Sequence, residues 1–364
     1  MTYRLLVASF RSRCALLAGA ASVCLIACAA NSGPANSGVG GGASGGSGGT
    51  DAGSGGASGG TAGSGVGGLG GGGGSTSGPT LLYAHTNTRL FKVDPASPTL
   101  AATPVGDFDC IGGTNQDTSM TDLAVDGKGN LWGVSQTAFY ELSIQGSSVH
   151  CVSATPLNNP NGVKFYALTF APKGVLDANK EVLVAGNSAG ELWEIDSAGN
   201  LSQHGTFGNV PANDGHGHSY DSKNVGQPWE LSGDIVFLEN GGNPVGFATV
   251  RDCPSPPYSS NCDTADTLIE INVPKLGQTT TGSVLQSVRG QIVKRAGCND
   301  TSGTSYGKMY GIAALGSKVY GFSHDGAIVD IDNTDGGACL VSFDAANLWS
   351  GAGVTTAAKV VVPQ

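Results

Sequence analysis

The sequence predicts an all-β fold built from repeated small antiparallel sheets, and three observations predict it. One short strand pair recurs five times, a further strand pattern accompanies each copy, and no long segment carries the 3.6-residue apolar period of a helix. The repeats occupy residues 81–364 as one domain, and everything before them has another composition.

The first member of the pair is Leu82-Tyr83-Ala84-His85-Thr86, Leu131-Trp132-Gly133-Val134-Ser135, Leu183-Val184-Ala185-Gly186-Asn187, Val245-Gly246-Phe247-Ala248-Thr249 and Val319-Tyr320-Gly321-Phe322-Ser323. The second member follows a turn: Leu90-Phe91-Lys92-Val93-Asp94, Phe139-Tyr140-Glu141-Leu142-Ser143, Leu192-Trp193-Glu194-Ile195-Asp196, Leu268-Ile269-Glu270-Ile271-Asn272 and Ile328-Val329-Asp330-Ile331-Asp332. Each runs apolar, apolar, charged, aliphatic, then a turn former, which is the pattern of a middle strand whose closing polar residue starts the next turn.

A further strand precedes four copies: Thr121 to Val125, Tyr166 to Phe170, Gly233 to Phe237 and Tyr310 to Ala314. The first copy has none before it, and the missing strand stands at the end of the chain as Ala352-Gly353-Val354-Thr355-Thr356. A chain that begins at the second strand of a unit and ends with the first strand of a unit closes on itself. The fold expected is a β-propeller of five four-stranded blades closed by the C-terminal strand. Val284 to Val293 reads as an outer strand; a sixth blade drawn from Thr279 to Val293 is the alternative.

Residues 1–27 read as a signal peptide, with Arg4, Arg11 and Arg13 ahead of a short apolar run, Cys14 to Ala27, that contains no acid. Between Ala29 and Thr80 stand 24 glycines and one charged residue, Asp51, a composition that builds no core. That linker has a root-mean-square reach of roughly 40 Å. Its G-x-S-x-G and G-x-G-x-x-G strings lack a flanking strand and helix and carry no site. The chain has 18 Lys and Arg against 28 Asp and Glu, a net charge of −10, which excludes a phosphate-backbone binder; no nucleic-acid partner is expected.

Leu25-Ile26-Ala27-Cys28 resembles the bacterial lipobox. With the linker and repeats, the layout resembles secreted or lipid-anchored bacterial β-propeller proteins. The resemblance implies acylation and cleavage at Cys28, so that 28–80 is a lipidated linker and the partner is a lipid bilayer. Ala29, in place of the acid that retains enterobacterial lipoproteins at the inner membrane, implies the outer membrane. Propeller repeats specify fold and leave chemistry open.

Six cysteines remain beyond Cys28: Cys110, Cys151, Cys253, Cys262, Cys298 and Cys339. An even number in an exported chain points to three disulfides, with 15 pairings open. Cys253 and Cys262 flank a loop rich in Pro and Ser, which favours their bridge. Cys110 to Cys151 and Cys298 to Cys339 are each 41 positions apart, which suggests one pairing repeated in two copies.

Two insertions, His204 to Gln227 and Arg251 to Asp266, fall on loops expected to share one face around the channel mouth. Asp214, His216, His218, Tyr220 and Trp229 are the candidate binding residues there. Asp122 and Asp234 occupy the same position in two first strands. They are candidates either to hold Ca²⁺ or another divalent cation or to accept backbone N–H bonds from a neighbouring blade. The other copies have Ala167, Gly311 and Gly353, so a full ligand set is missing. Asp330 to Gly336 has its glycine one place late for a calcium loop and reads as a turn. Trp132, Trp193 and Tyr320 read as core.

No nucleophile-base arrangement accompanies the Ser, His and Asp residues present. The expectation is therefore a binding module for a protein, a glycan or a peptidoglycan component. The rival is a metal-dependent hydrolase or lactonase, with Asp122 and Asp234 as ligands and His216 or His218 as general base.

Overall fold

The computed structural model describes residues 81–114, 116–158, 164–238, 243–253, 262–298, 303–316 and 318–358. The expected signal peptide, Cys28 and the linker through residue 80 lie outside the described residues, as does the loop 254–261.

The described chain opens with β1 (Leu82–His85), β2 (Arg89–Val93) and β3 (Ala102–Phe108). Next come β4 (Asp122–Val125), β5 (Leu131–Val134), β6 (Ala138–Gln145) and β7 (Ser148–Pro156). Then follow β8 (Phe165–Ala171), β9 (Val182–Asn187), β10 (Glu191–Ile195) and β11 (Leu201–Thr206). The next four are β12 (Glu230–Leu238), β13 (Val245–Arg251), β14 (Thr267–Ile271) and β15 (Leu285–Gln291). Last are β16 (Met309–Leu315), β17 (Lys318–Ser323), β18 (Ala327–Ile331), β19 (Ala338–Phe343) and β20 (Gly351–Val354). The protein is all-β.

The five strand pairs and five first strands read from the sequence fall on observed strands. Val284 to Val293 contains β15, the outer strand of its sheet. The closing acids start turns as expected: Asp94, Asp196 and Asp332 each accept, through Oδ1, the N–H two residues on, at 2.8–2.9 Å.

Three sheets are four-stranded antiparallel runs, β8 to β11, β12 to β15 and β16 to β19. The fourth has eight strands in the order β20-β1-β2-β3-β7-β6-β5-β4. It consists of two antiparallel runs of four joined by a parallel step of two residue pairs, Asp107 with Ser148 and Phe108 with Val149. The C-terminal β20 pairs antiparallel with β1, Leu82 against Val354 and His85 against Gly351. The first strands of the runs are neighbours: β4 lies beside β8, β8 beside β12, β12 beside β16, and β20 beside both β16 and β4.

The core lies between the faces of successive runs. Phe139 of β6 packs with Phe165, Leu168 and Leu183 of the next run, and Leu90 of β2 shares a cluster with Leu123, Leu131 and Tyr140. Each such side chain contributes about 1.5–3 kcal/mol by leaving water. Every residue of β4, β12 and β20 is buried. Trp132, Trp193 and Tyr320 pack against the clusters, partly buried.

Three disulfides join Cys110 to Cys151, Cys253 to Cys262 and Cys298 to Cys339, with Cα separations of 5.9, 5.1 and 5.6 Å. Such bridges belong to an oxidising, extracytoplasmic compartment. Among the described residues no helix is long and apolar enough to cross a membrane.

Candidate functional site

Asp122 and Asp234 are fully buried where the first strands adjoin. Asp122 Oδ2 accepts the N–H of Leu168 in β8 at 2.5 Å. Asp234 Oδ2 accepts the N–H of Ile312 in β16 at 2.7 Å, and its Oδ1 accepts that of Ile235 at 2.6 Å. The N–H of Ala352 in β20 also bonds Asp234. The backbones approach so closely that a Cβ on Gly311 would meet Ala352 and one on Gly353 would meet Leu123. A Cβ on Gly351 would meet Asp122 Oδ1 and His85 Nε2, so the glycine there leaves room for a carboxyl that, like Asp234, ties together strands sharing no ladder. Acceptance of backbone N–H bonds, one of the two roles expected for Asp122 and Asp234, is seen in both.

Burial pushes the pKa of Asp122 well above the usual carboxylate range, and the charge of Asp234 adds to it. Burial raises Asp234 as well. His85 of β1 stands beside them, fully buried, with Nε2 3.7 Å from Asp122 Oδ1. Its Nδ1 donates to the Thr86 carbonyl at 2.8 Å, so in the neutral ring Nε2 is the bare acceptor. Burial lowers its pKa to about 4. A neutral imidazole facing a protonated carboxyl is the charge state this burial favours.

The two insertions meet one another. His218 Nε2 lies 2.8 Å from Asp263 Oδ2, which also accepts from Gln291 Nε2 at 2.8 Å. Asp214 is buried and accepts the N–H groups of His216 and His218 at 2.7 and 3.0 Å. It therefore shapes the turn, helped by Gly215 and Gly217 at φ of 81° and 110°. His216 is exposed, and with His218 it lines a surface cavity of about 580 Å³ shared with Lys294 and Arg295.

Tyr220 and Trp229 correct the sequence reading. They are 5% and 0% exposed and belong to the core between β8–β11 and β12–β15. The rings meet edge to face at 5.3 Å, and the Tyr220 hydroxyl lies 3.0 Å from Thr267 Oγ1. Their polar, glycine-rich neighbours read as surface, yet two large rings are what fills the space beneath a long insertion. Trp349 is likewise buried, edge to face with Phe91 and Phe322.

A different cavity, of about 510 Å³, lies at the N-terminal ends of the first strands. Each strand or its approach supplies a lining residue: Thr121, Tyr166, Gly233, Tyr310 and Ser350. Turns between second and third strands add Asn87, Gln136, Ser188 and His324. This is the placement expected for a shared loop face, but the residues are not those singled out in the sequence.

One wall of this cavity is an ion pair. Arg251 Nη2 and Nε donate to Glu230 Oε1 and Oε2 at 2.9 and 3.1 Å, a planar two-bond clamp. Burial raises the pKa of Glu230 while the guanidinium opposes it. Lining Ser232 donates its hydroxyl to Asp266 Oδ2 at 2.5 Å, and the same oxygen accepts the Met309 N–H at 2.6 Å. Burial pushes Asp266 up to about 6. The rings of Tyr310 and His324 lie 4.9 Å apart, tilted by 36°. His324 Nδ1 donates to the Trp349 carbonyl at 2.9 Å, which fixes the imidazole.

Among the described residues one close trio offers metal-ligating atoms, Asp109 with Cys110 and Cys151. Its two sulfurs are joined to each other and offer no thiolate.

No protein-family profile matches the chain, and no curated protein matches it in sequence. Solved structures resemble it loosely. A protein of unknown function from Bacteroides caccae is 11% identical with a TM-score of 0.37, covering 76% of this chain and 99% of its own. A structure from work on the de novo evolutionary emergence of a symmetrical protein is 14% identical at a TM-score of 0.34, covering 78% and 100%. The computationally designed Ika8 protein is 13% identical at 0.27, covering 71% and 57%. At these scores the likeness carries no weight for fold or function.

Proposed function

We propose that the chain is an exported, lipid-anchored β-propeller of five blades that acts as a binding module, taking its ligand in the cavity where the first strands begin. The pairing of β20 with β1 and the cyclic adjacency of β4, β8, β12, β16 and β20 support the ring. The Leu25–Cys28 motif and the glycine-rich linker support anchoring at the outer membrane through Cys28. The three disulfides support export.

One observation carries the binding reading. The cavity of about 510 Å³ is lined by residues of every run of strands and walled by an ion pair of buried Glu230 and partly exposed Arg251, held in two bonds. A concave site with a few fixed polar groups on a rigid frame suits recognition. The test uses the full chain and an envelope glycan fraction. The fraction should raise the melting temperature saturably, and Gln136→Trp, which fills the cavity from a turn, should abolish the rise. An equal rise in Gln136→Trp would remove the cavity from the reading. The hydrolase or lactonase alternative calls for a stoichiometric ion in the purified protein whose removal by EDTA lowers the melting temperature.

A further inference from the structure

We infer that Asp109, Cys110 and Cys151 become a zinc site when the bridge between the two cysteines is reduced. The junction of β3 with β7 is then tied by a disulfide in one redox state and by a metal in the other. This inference stands apart from the cavity and its ligand.

The ligand atoms are already gathered. A carboxylate oxygen of Asp109 and the two sulfurs lie within 4.8 Å of one another, and each residue is at least partly exposed, so a reductant and an ion can reach them. The bridge is not all that holds them there. Asp109 and Cys110 directly follow β3 and Cys151 lies in β7, and these strands are joined by the pairs Asp107 with Ser148 and Phe108 with Val149. The Asp109 N–H also donates to the Val149 carbonyl at 3.0 Å. The carboxylate is fixed in its turn: Oδ1 accepts the Cys151 N–H at 2.9 Å, and Oδ2 meets His150 Nδ1 at 2.5 Å. These bonds hold Asp109 below the usual carboxylate range, so it is ionised and keeps lone pairs for a cation. Partners of this kind set the direction of a ligand in metal sites.

Zinc follows from the donors. Two thiolates with one carboxylate suit a tetrahedral, redox-inert ion, whereas Ca²⁺ and Mg²⁺ take oxygen ligands. Zinc stands about 2.3 Å from sulfur and about 2.0–2.2 Å from a carboxylate oxygen, with water in the fourth position. The sulfurs must part to admit it, and across a Cα separation of 5.9 Å side-chain rotation parts them. A dithiol reductant supplies two electrons and two protons and leaves as its own disulfide; zinc then displaces both thiol protons and binds the thiolates. Among the described residues no other trio of ligating atoms is as close. Beside Cys339 stands a cation instead, with Arg295 Nη2 3.4 Å from its sulfur.

The experiment reduces the full chain with a dithiol, removes the reductant without oxygen and titrates with cobalt(II), whose thiolate charge-transfer and tetrahedral bands report the site, before displacement by zinc. The reduced parent should bind one equivalent more than Cys110→Ser/Cys151→Ser and one more than the oxidised chain. Asp109→Asn, which can still accept the Cys151 N–H, should weaken that equivalent at least roughly tenfold. Equal uptake by the reduced parent and the double variant, or by the reduced and oxidised parent, would overturn the site. Affinity indifferent to Asp109→Asn would overturn the carboxylate as a ligand and with it the trio. Zinc should also raise the melting temperature of the reduced parent, and EDTA should lower it again. A reduced chain that melts alike with and without zinc would overturn the metal tie.

Discussion

Oδ2 of Asp234 on β12 accepts the backbone N–H of Ile312 on β16 at 2.7 Å, across a boundary between two sheets that share no ladder. A buried peptide N–H at such a boundary needs an acceptor, and the side chain supplies it. Asp234→Ala leaves the N–H groups of Ile312 and Ile235 without their acceptors, each costing about 1–3 kcal/mol. The expected loss is about 2–5 kcal/mol in a denaturant titration; a change below about 1 kcal/mol would mean that water replaces the carboxyl.

The same carboxyls set a pH response. Asp122 and Asp234 hold their protons more tightly folded than unfolded, so their contribution is present in acid and is lost as pH rises above the ordinary carboxylate range. His85, with its pKa lowered to about 4, acts oppositely, adding stability as pH climbs from about 4 to 6.5. Above about 6.5 its effect is complete and the carboxyl slope stands alone. The melting temperature should therefore fall from pH 6.5 to 8.5, with a shallower fall in Asp234→Asn. A flat profile in the parent protein would show both carboxyls already ionised.

Between β3 and β7 the ladder is two residue pairs long, and the Cys110–Cys151 bridge closes a 41-residue separation beside it. Replacing both cysteines by serine should cost about 4 kcal/mol from loop closure, against about 3 kcal/mol for the shorter Cys253–Cys262 loop. Urea midpoints of the two double mutants under identical buffer conditions check the order.

Core and cavity aromatics should separate cleanly. Trp229→Ala empties a fully buried site and should cost about 3–5 kcal/mol. Tyr310→Ala removes a half-buried ring at a cavity edge and should cost less than half as much. Comparable losses by chemical denaturation would place Tyr310 among the packing residues.

The strands legible in the sequence are those with one or both faces buried. Strand β2 buries Leu90, Phe91 and Val93 between exposed Arg89 and Lys92, and β12 is buried throughout and ends in the apolar run Ile235 to Leu238. The outer strands β3 and β11 were not legible, since Ala102–Phe108 contains Pro104 and buries only Gly106 and Phe108, and Leu201–Thr206 is partly exposed throughout but for Gly205. Two cysteine pairs were legible through equal spacing and Cys253–Cys262 through the Pro- and Ser-rich loop it flanks. The cavity was not: Asn87, Gln136, Tyr166 and Tyr310 are brought together by strand order and share no local motif. Asp266 was missed for the same reason, because ahead of β14 it reads as a turn residue, whereas it bonds Ser232 and Met309.

The pairing of Leu82 with Val354 and Tyr83 with Gly353 makes the last of the described strands the partner of the first. During synthesis β1 therefore carries an open edge until residues 351–354 follow it, and closing over so long a contour is slow. The β1–β20 pairing thus waits for residues 351–354, and a chain cut short before β20 presents to proteases a bare β1 edge that the paired strands conceal.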